Sequence, residues 1–325
     1  MTRRLTITAA LGLALLALAA WHLSAGAVSI PLTELWQTLT RGHADYDFIL
    51  WNYRLPRLLI AALVGAALAL AGLLVQGVVR NPLASPDILG VSGGASLAVV
   101  ALSIGWRQAP VALIPPVALA GGFASLGLLL WLARAVWHRP AALALIGIAL
   151  SALFAAAIDF LLTLYPLEIN AALLWLTGSV WGRNWSHLPL ILPWLLALLP
   201  VACYLAYQLD LLTLGDDTAT SLGTRVDRLR LVALLTAVAL TGAAVAVCGA
   251  IGFVGLVAPH MARFLAGHRH LPLIPVCLLL GALLLVAADL FARILMPPLE
   301  LPAGIVIAFL GAPYFIFLIT RYRHW

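Results

Sequence analysis

Ten apolar stretches divide this chain of 325 residues. A helix needs about 20 apolar residues to cross the hydrocarbon core of a bilayer. The stretches run over about 5–27, 58–79, 88–105, 111–133, 141–164, 188–207, 229–247, 249–266, 273–295 and 303–320. Inside lipid every backbone polar group must be satisfied within the segment, which leaves helices as the spanning element for such runs. The pattern therefore predicts an all-α polytopic membrane protein, one transmembrane domain over 1–325 with ten helices. Composition agrees. Only 9% of residues are charged, against about 25% in soluble domains, and mean hydropathy is +1.09.

The first run follows Arg3 and Arg4 and has the look of a secretory leader. It is long for a leader's apolar core and nine more spans follow, so a retained helix is expected. The seventh and eighth runs are nearly continuous. Gly249, Gly252 and Gly255 at their join permit a tight turn or a broken helix. Pro259 lies in the eighth run, and Pro189, Pro193 and Pro200 crowd the sixth. Proline is common in membrane helices and by itself signals no function.

All 18 basic residues are arginine. A Walker A loop needs a lysine on the nucleotide phosphates, so the chain has no ATPase site of its own. Schiff-base chemistry is excluded for the same reason. The arginines also orient the chain. With ten spans both termini share one side, and that side holds 12 arginines against 6, including Arg80, Arg225, Arg230, Arg263 and Arg323. The positive-inside rule makes the termini cytoplasmic. The other side holds Arg41, Arg54, Arg57, Arg107, Arg183 and Arg293. Five spans per half give the halves opposite topology, as in many transporters, although no clear sequence echo links them. Cys203, Cys248 and Cys277 are isolated in apolar runs and form no metal or CxxC spacing.

Two polar connections stand out, an outer loop over 28–57 and an inner loop over 208–230. A third outer segment, 168–185, carries Trp175, Trp181 and Trp185, a composition typical of the lipid–water interface. In the inner loop, Asp216 and Asp217 suit the first turn of a short helix through its dipole. Gly223 suits a left-handed cap at its end. The element reads either as a solvated connector or as a rigid knob for a cytoplasmic partner.

At this loop the chain resembles a known family. Residues 214–223, Leu-Gly-Asp-Asp-Thr-Ala-Thr-Ser-Leu-Gly, are similar to the coupling loop of the iron-siderophore and vitamin B12 (FecCD/BtuC-type) ABC importer permeases. Further motifs follow the family's order: Arg54-Leu-Pro-Arg57; residues 80–90, Arg-Asn-Pro-Leu-Ala-Ser-Pro-Asp-Ile-Leu-Gly; residues 252–260, Gly-Phe-Val-Gly-Leu-Val-Ala-Pro-His, with Arg263; and Glu300-Leu-Pro-Ala-Gly304 with Leu310-Gly-Ala-Pro313. The resemblance covers nearly the whole chain. Residues 81–90 and 173–183 draw it toward the ferric dicitrate branch.

The resemblance implies a type II importer permease with no catalytic residue, metal site or cofactor of its own. A cytoplasmic ABC ATPase dimer supplies ATP and Mg²⁺ chemistry. A second permease completes the pathway, and the ferric dicitrate likeness favours a related FecC-like chain, hence a heterodimer. A periplasmic binding protein delivers the ligand to the bacterial inner membrane. By the same resemblance Gly215, Asp216, Ala219, Leu222 and Gly223 form the ATPase-coupling element. Arg54, Arg57 and Arg293 receive acidic residues of the binding protein, with bidentate arginine–carboxylate geometry. The plain alternatives are interfacial snorkelling for Arg54 and Arg57, and an i,i+4 pair with Asp289 for Arg293. Asn81, Pro82 and Leu83 form a bend that the resemblance puts at a cytoplasmic gate. A simple helix stop is the alternative there. Cargo is expected to be a ferric chelate, ferric citrate first, with another siderophore, haem or vitamin B12 as alternatives.

Two polar residues within spans stay open. Asp159 in the fifth run is a charge at membrane depth, which must face protein or water. His260 is expected to be a packed or capping histidine rather than a ligand. A rival class rests on Gly90-Val-Ser-Gly-Gly94, which matches G-x-S-x-G. A rhomboid-like intramembrane serine protease needs a histidine on that serine, and His260 in the eighth run is the candidate. Close helix packing explains the small residues more simply. A stand-alone secondary transporter is the third option.

Overall fold

The computed structural model describes residues 2–26, 28–41, 45–137, 139–166, 173, 175–297 and 299–321. Arg323 and most of the first part of the 168–185 segment lie outside the described residues. The helices are α1 (Thr2–Ser24), α2 (Leu32–Arg41), α3 (Leu55–Val79), α4 (Val91–Gly105), α5 (Ile114–Ala133), α6 (Pro140–Leu164), α7 (Leu188–Leu212), α8 (Asp216–Ser221), α9 (Val226–Cys248), α10 (Val254–Ala266), α11 (His270–Ile294) and α12 (Ala303–Arg321). Every one of the ten expected spans has its helix. Seven are long and apolar enough to cross a membrane, while α4, α10 and α12 give shorter apolar segments.

Helix α3 is the axis of the bundle. It packs against α11, α9, α10 and α7, and 83% of its apolar window is buried, against 6% for α1. Small residues let the neighbours come this close. A Cβ on Gly65 would lie 2.2 Å from the carbonyl oxygen of Gly281, and one on Gly281 would lie 2.3 Å from that of Gly65. No side chain fits at either position, so the α3–α11 crossing depends on backbone meeting backbone. Helix α1 runs along α11 at the periphery, with Trp21 edge-on to Phe291.

The predicted boundaries shift in four places. The 28–57 connection is largely helical: α2 lies within it, and a π-helical turn over Leu50–Arg54 leads directly into α3. The 208–230 loop is much shorter, because α7 continues to Leu212 and α9 starts at Val226. The third span opens with a 3₁₀ turn (Pro86–Leu89), and its helix starts only after Gly90, at φ +79°. The eighth starts at Val254 rather than Gly249.

That last shift marks a real break. Gly249 at φ +74° ends α9 and the chain is not helical again until Val254. Backbone groups freed inside an apolar bundle need partners. Residues 175–179 supply them: Ala250 N–H donates to Trp175 O at 3.0 Å, and Ser179 N–H donates to Cys248 O at 2.8 Å. Pro189 sits in the first turn of α7, where its missing N–H costs nothing, while Pro193 and Pro200 lie inside the helix.

The connections gather two polar clusters at opposite ends of the bundle. One contains the start of α3 and the C-terminal ends of α1 and α11, around Arg57. The other contains the end of α3, α8, and the starts of α9 and α11, around Asp216.

Candidate functional site

At the Asp216 end, α8 is a short helix of six residues flanked by glycines. Gly215, at φ +102°, precedes it. After it, Gly223 lies at φ +87°. Gly223 N–H donates to Thr220 O at 2.9 Å and Thr224 N–H donates to Ala219 O at 2.9 Å. This pair of bonds is a Schellman cap, which consumes the last free carbonyls and stops the helix sharply. Ala219 faces inward with no exposed surface, whereas Leu222 is 57% exposed and Leu214 is exposed beside it. A buried alanine fixes the knob to α7 and α9, and the leucines leave apolar surface facing outward.

Asp216 anchors this knob from two sides. Its carboxylate lies 3.0 Å from Arg80 Nη2 and 2.8 Å from Arg230 Nη2. Arg230 projects from α9 and is wholly buried, so the carboxylate is its charge partner in an apolar setting. Arg80 caps α3 in the left-handed region at φ +53°. Directly after it, the Asn81 side-chain oxygen accepts Leu83 N–H at 2.9 Å, and Ala84 N–H donates to Asn81 O at 3.0 Å. Asn81, Pro82 and Leu83 thus form a tight side-chain-braced turn. Through Arg80, the structure joins this turn to α8. Both segments stand out in the sequence, whereas the ion pair between them exists only in the folded chain.

At the other end, the three arginines expected to point outward have internal partners. Arg57 donates from Nε and Nη2 to the two Asp289 oxygens, each at 2.8 Å, and from Nη1 to Glu300 at 2.7 Å. Arg54 donates to the carbonyl oxygens of Leu23, Ser24 and Val28. Arg293 donates to His22 O at 2.7 Å. His22 Nε2 lies 2.9 Å from Asp289. All three arginines are buried. A guanidinium in an apolar bundle end must find a carboxylate or carbonyls, so these heads do not snorkel. Nor is Asp289 the partner of Arg293 that the i,i+4 spacing suggested; it holds Arg57 and His22. Among these side chains Glu300 is the partly exposed one that carries the cluster to the surface.

The remaining candidates separate. Ser92 Oγ–H donates to Asp87 Oδ1. His260 is buried on α10, edge-on to Phe264 with ring centroids 5.0 Å apart and to Tyr314 at 6.2 Å. That is the packed histidine expected. Ser92 therefore bonds a carboxylate, not the imidazole a protease would need. Asp87 lies in the turn between α3 and α4, where its carboxylate holds the Ser92 hydroxyl. Asp159 is exposed on α6, five residues before the helix ends.

Comparison with known proteins covers the whole arrangement. The model of the FecCD transport family matches residues 13–321. The chain is 51% identical over 319 residues to the Fe(3+) dicitrate transport system permease protein FecD of Escherichia coli (strain K12), spanning 98% of this chain and 99% of that protein. It is 49% identical over 275 residues to the Fe(3+)-citrate import system permease protein YfmE of Bacillus subtilis (strain 168), spanning 85% and 83%. A solved structure described as an inward-facing conformation of a metal-chelate type ABC transporter superposes with a TM-score of 0.86, at 31% identity over 97% of this chain and 99% of that one.

Proposed function

This chain belongs to the FecCD transport family as a multi-pass membrane permease, and on that premise we propose that it carries a ferric chelate, iron(III) dicitrate first, through the bacterial inner membrane. The observation that carries this reading is the 51% identity to a ferric dicitrate permease along 98% of the chain. The chain performs no covalent chemistry. Energy comes from a partner ATPase, and a binding protein delivers the cargo.

The work of the chain is alternating access. Its termini and α8 face the cytoplasm, as the 12-to-6 arginine split supports. Gly215, Asp216, Ala219, Leu222 and Gly223 present the knob to the ATPase. A rigid capped turn suits this role because it transmits displacement instead of absorbing it. When the ATPases close, the knob moves, and Asp216 carries Arg80 and the Asn81–Leu83 turn with it. That turn serves as the cytoplasmic gate. At the outer face, acidic groups of the binding protein reach Arg57 by replacing Glu300, with Arg54 and Arg293 holding the surrounding backbone in place. A second, related permease completes the pathway.

Uptake of radiolabelled iron by cells carrying the transporter tests the cargo. Ferric dicitrate is taken up, and unlabelled ferric dicitrate competes. Uptake of a ferric hydroxamate or of cobalamin with no uptake of the citrate complex would overturn the citrate assignment and keep the importer.

A further inference from the structure

A cavity of about 1060 Å³ opens at the Asp216 end, between α1, the end of α3, α10 and the start of α11. Its wall carries the guanidiniums of Arg3, Arg4, Arg80 and Arg263 and no carboxylate. Arg80 is shared with Asp216, and Arg263 donates to Gln76. Among the described residues no ion pair engages Arg3, Arg4 or Arg263. The C-terminal ends of α3 and α10 reach the same space, and each contributes about half a negative charge. With Arg80 compensated by Asp216, the three other guanidiniums still exceed that, so the cavity stays positive and suits an anion.

The shape of the site selects the kind of anion. A water takes about 30 Å³ of liquid, so a lone phosphate leaves most of this space unfilled. The rim is apolar: Phe264 and Leu265 line it and are exposed, and Leu5 is exposed next to Arg4 on α1. Helix α1 is apolar and little of its surface is buried within this chain. A ligand here meets cations inside and hydrocarbon-compatible surface at the mouth. Basic pockets between membrane helices take anionic headgroups for this reason.

We propose that this cavity binds the phosphate headgroup of an anionic membrane phospholipid, with its acyl chains lying along α1 and Phe264. The lipid bridges the peripheral helix α1 to α10 and to the end of α3, next to Arg80. Asn81 and Pro82 of the proposed gate line the same cavity, and the reading does not depend on which chelate is carried.

The test uses the whole transporter, purified, delipidated and titrated with phosphatidylglycerol or phosphatidylcholine, with bound lipid read by native mass spectrometry. Phosphatidylglycerol is retained and phosphatidylcholine is not. Each surface arginine contributes about a factor of five to such binding, so Arg3→Gln with Arg4→Gln weakens retention about 30-fold. Arg3→Lys with Arg4→Lys restores it, which separates loss of charge from loss of folding. Equal retention of both lipids, or no change in the glutamine variant, overturns the proposal. Displacement of the lipid by equimolar inorganic phosphate assigns the site to free phosphate instead, and displacement by ferric dicitrate assigns it to departing cargo.

Discussion

Asp216 and Arg80 meet at 3.0 Å, although 136 positions separate them in the chain. Asp216 opens the exposed knob α8, and Arg80 closes the central helix α3. Their ion pair, on a carboxylate that also binds Arg230, ties the knob to the end of helix α3.

Removing that carboxylate separates motion from transport. Asp216→Asn leaves the wholly buried Arg230 without a charge partner, at a cost of about 2 kcal/mol. The expected outcome is ATP hydrolysis that continues while iron uptake per ATP falls at least tenfold. Hydrolysis and uptake measured on the same proteoliposomes check it, with a thermal melt to report the stability loss. Unchanged stoichiometry would remove Asp216 from the coupling path.

The knob itself tolerates little. A Cβ at Gly223 must adopt the left-handed region, at about 1–2 kcal/mol. A larger side chain at the enclosed Ala219 overpacks the contact with α7 and α9, at about 1–3 kcal/mol. Gly223→Val and Ala219→Leu are expected to leave a folded permease whose ATPase partner hydrolyses without import. Unchanged transport in both variants would show that α8 is only a connector.

Outer docking is read through Glu300. Substitution of Arg57 also strands Asp289, so its effects mix stability with binding. Glu300→Gln instead frees one side of Arg57 while the Asp289 pair remains. Loaded binding protein is expected to bind this variant more tightly, with a steeper loss of affinity as salt rises. Surface plasmon resonance on the reconstituted transporter measures both. Identical affinity and salt dependence would leave Arg57 a purely internal group.

The proposed gate has its own readout. Leu83 is half-buried in the turn that Arg80 tethers. Leu83→Ala is expected to let ferric citrate leak from loaded liposomes without ATP, and a tight variant would make the turn a simple helix stop.

The α3–α11 crossing gives the clearest stability prediction. Gly281→Val places a side chain where the Gly65 carbonyl already stands. A loss of about 3 kcal/mol or more is expected, seen as failure to survive detergent extraction at temperatures the unmodified protein tolerates.

Local pattern carried much of this architecture. The spans were legible because lipid demands a minimum apolar length, and α8 was legible because the paired aspartates and Gly223 punctuate it. The break after Gly249 was legible as a break, from its glycines. What partners it, residues 175–179, was not, since only the folded chain brings them together. The same holds for the arginines. Spacing along one helix suggested Arg293 with Asp289, yet Asp289 took Arg57, 232 residues away. His22 gave no signal at all: one polar residue at the end of an apolar run looks like a boundary, not the floor of an ion cluster. Helix extents failed where polar residues continue a helix, as at Asp210, which pairs with His270 from α11 at 2.6 Å.

The central claim is that this chain is one membrane subunit of an importer and borrows its ATPase. Purification from native membranes in mild detergent, with mass spectrometry of the bound proteins, tests that most directly. An ABC ATPase and a second, different ten-span permease are predicted to accompany it. Recovery of the chain alone, in a detergent that preserves other ABC complexes, would contradict the account.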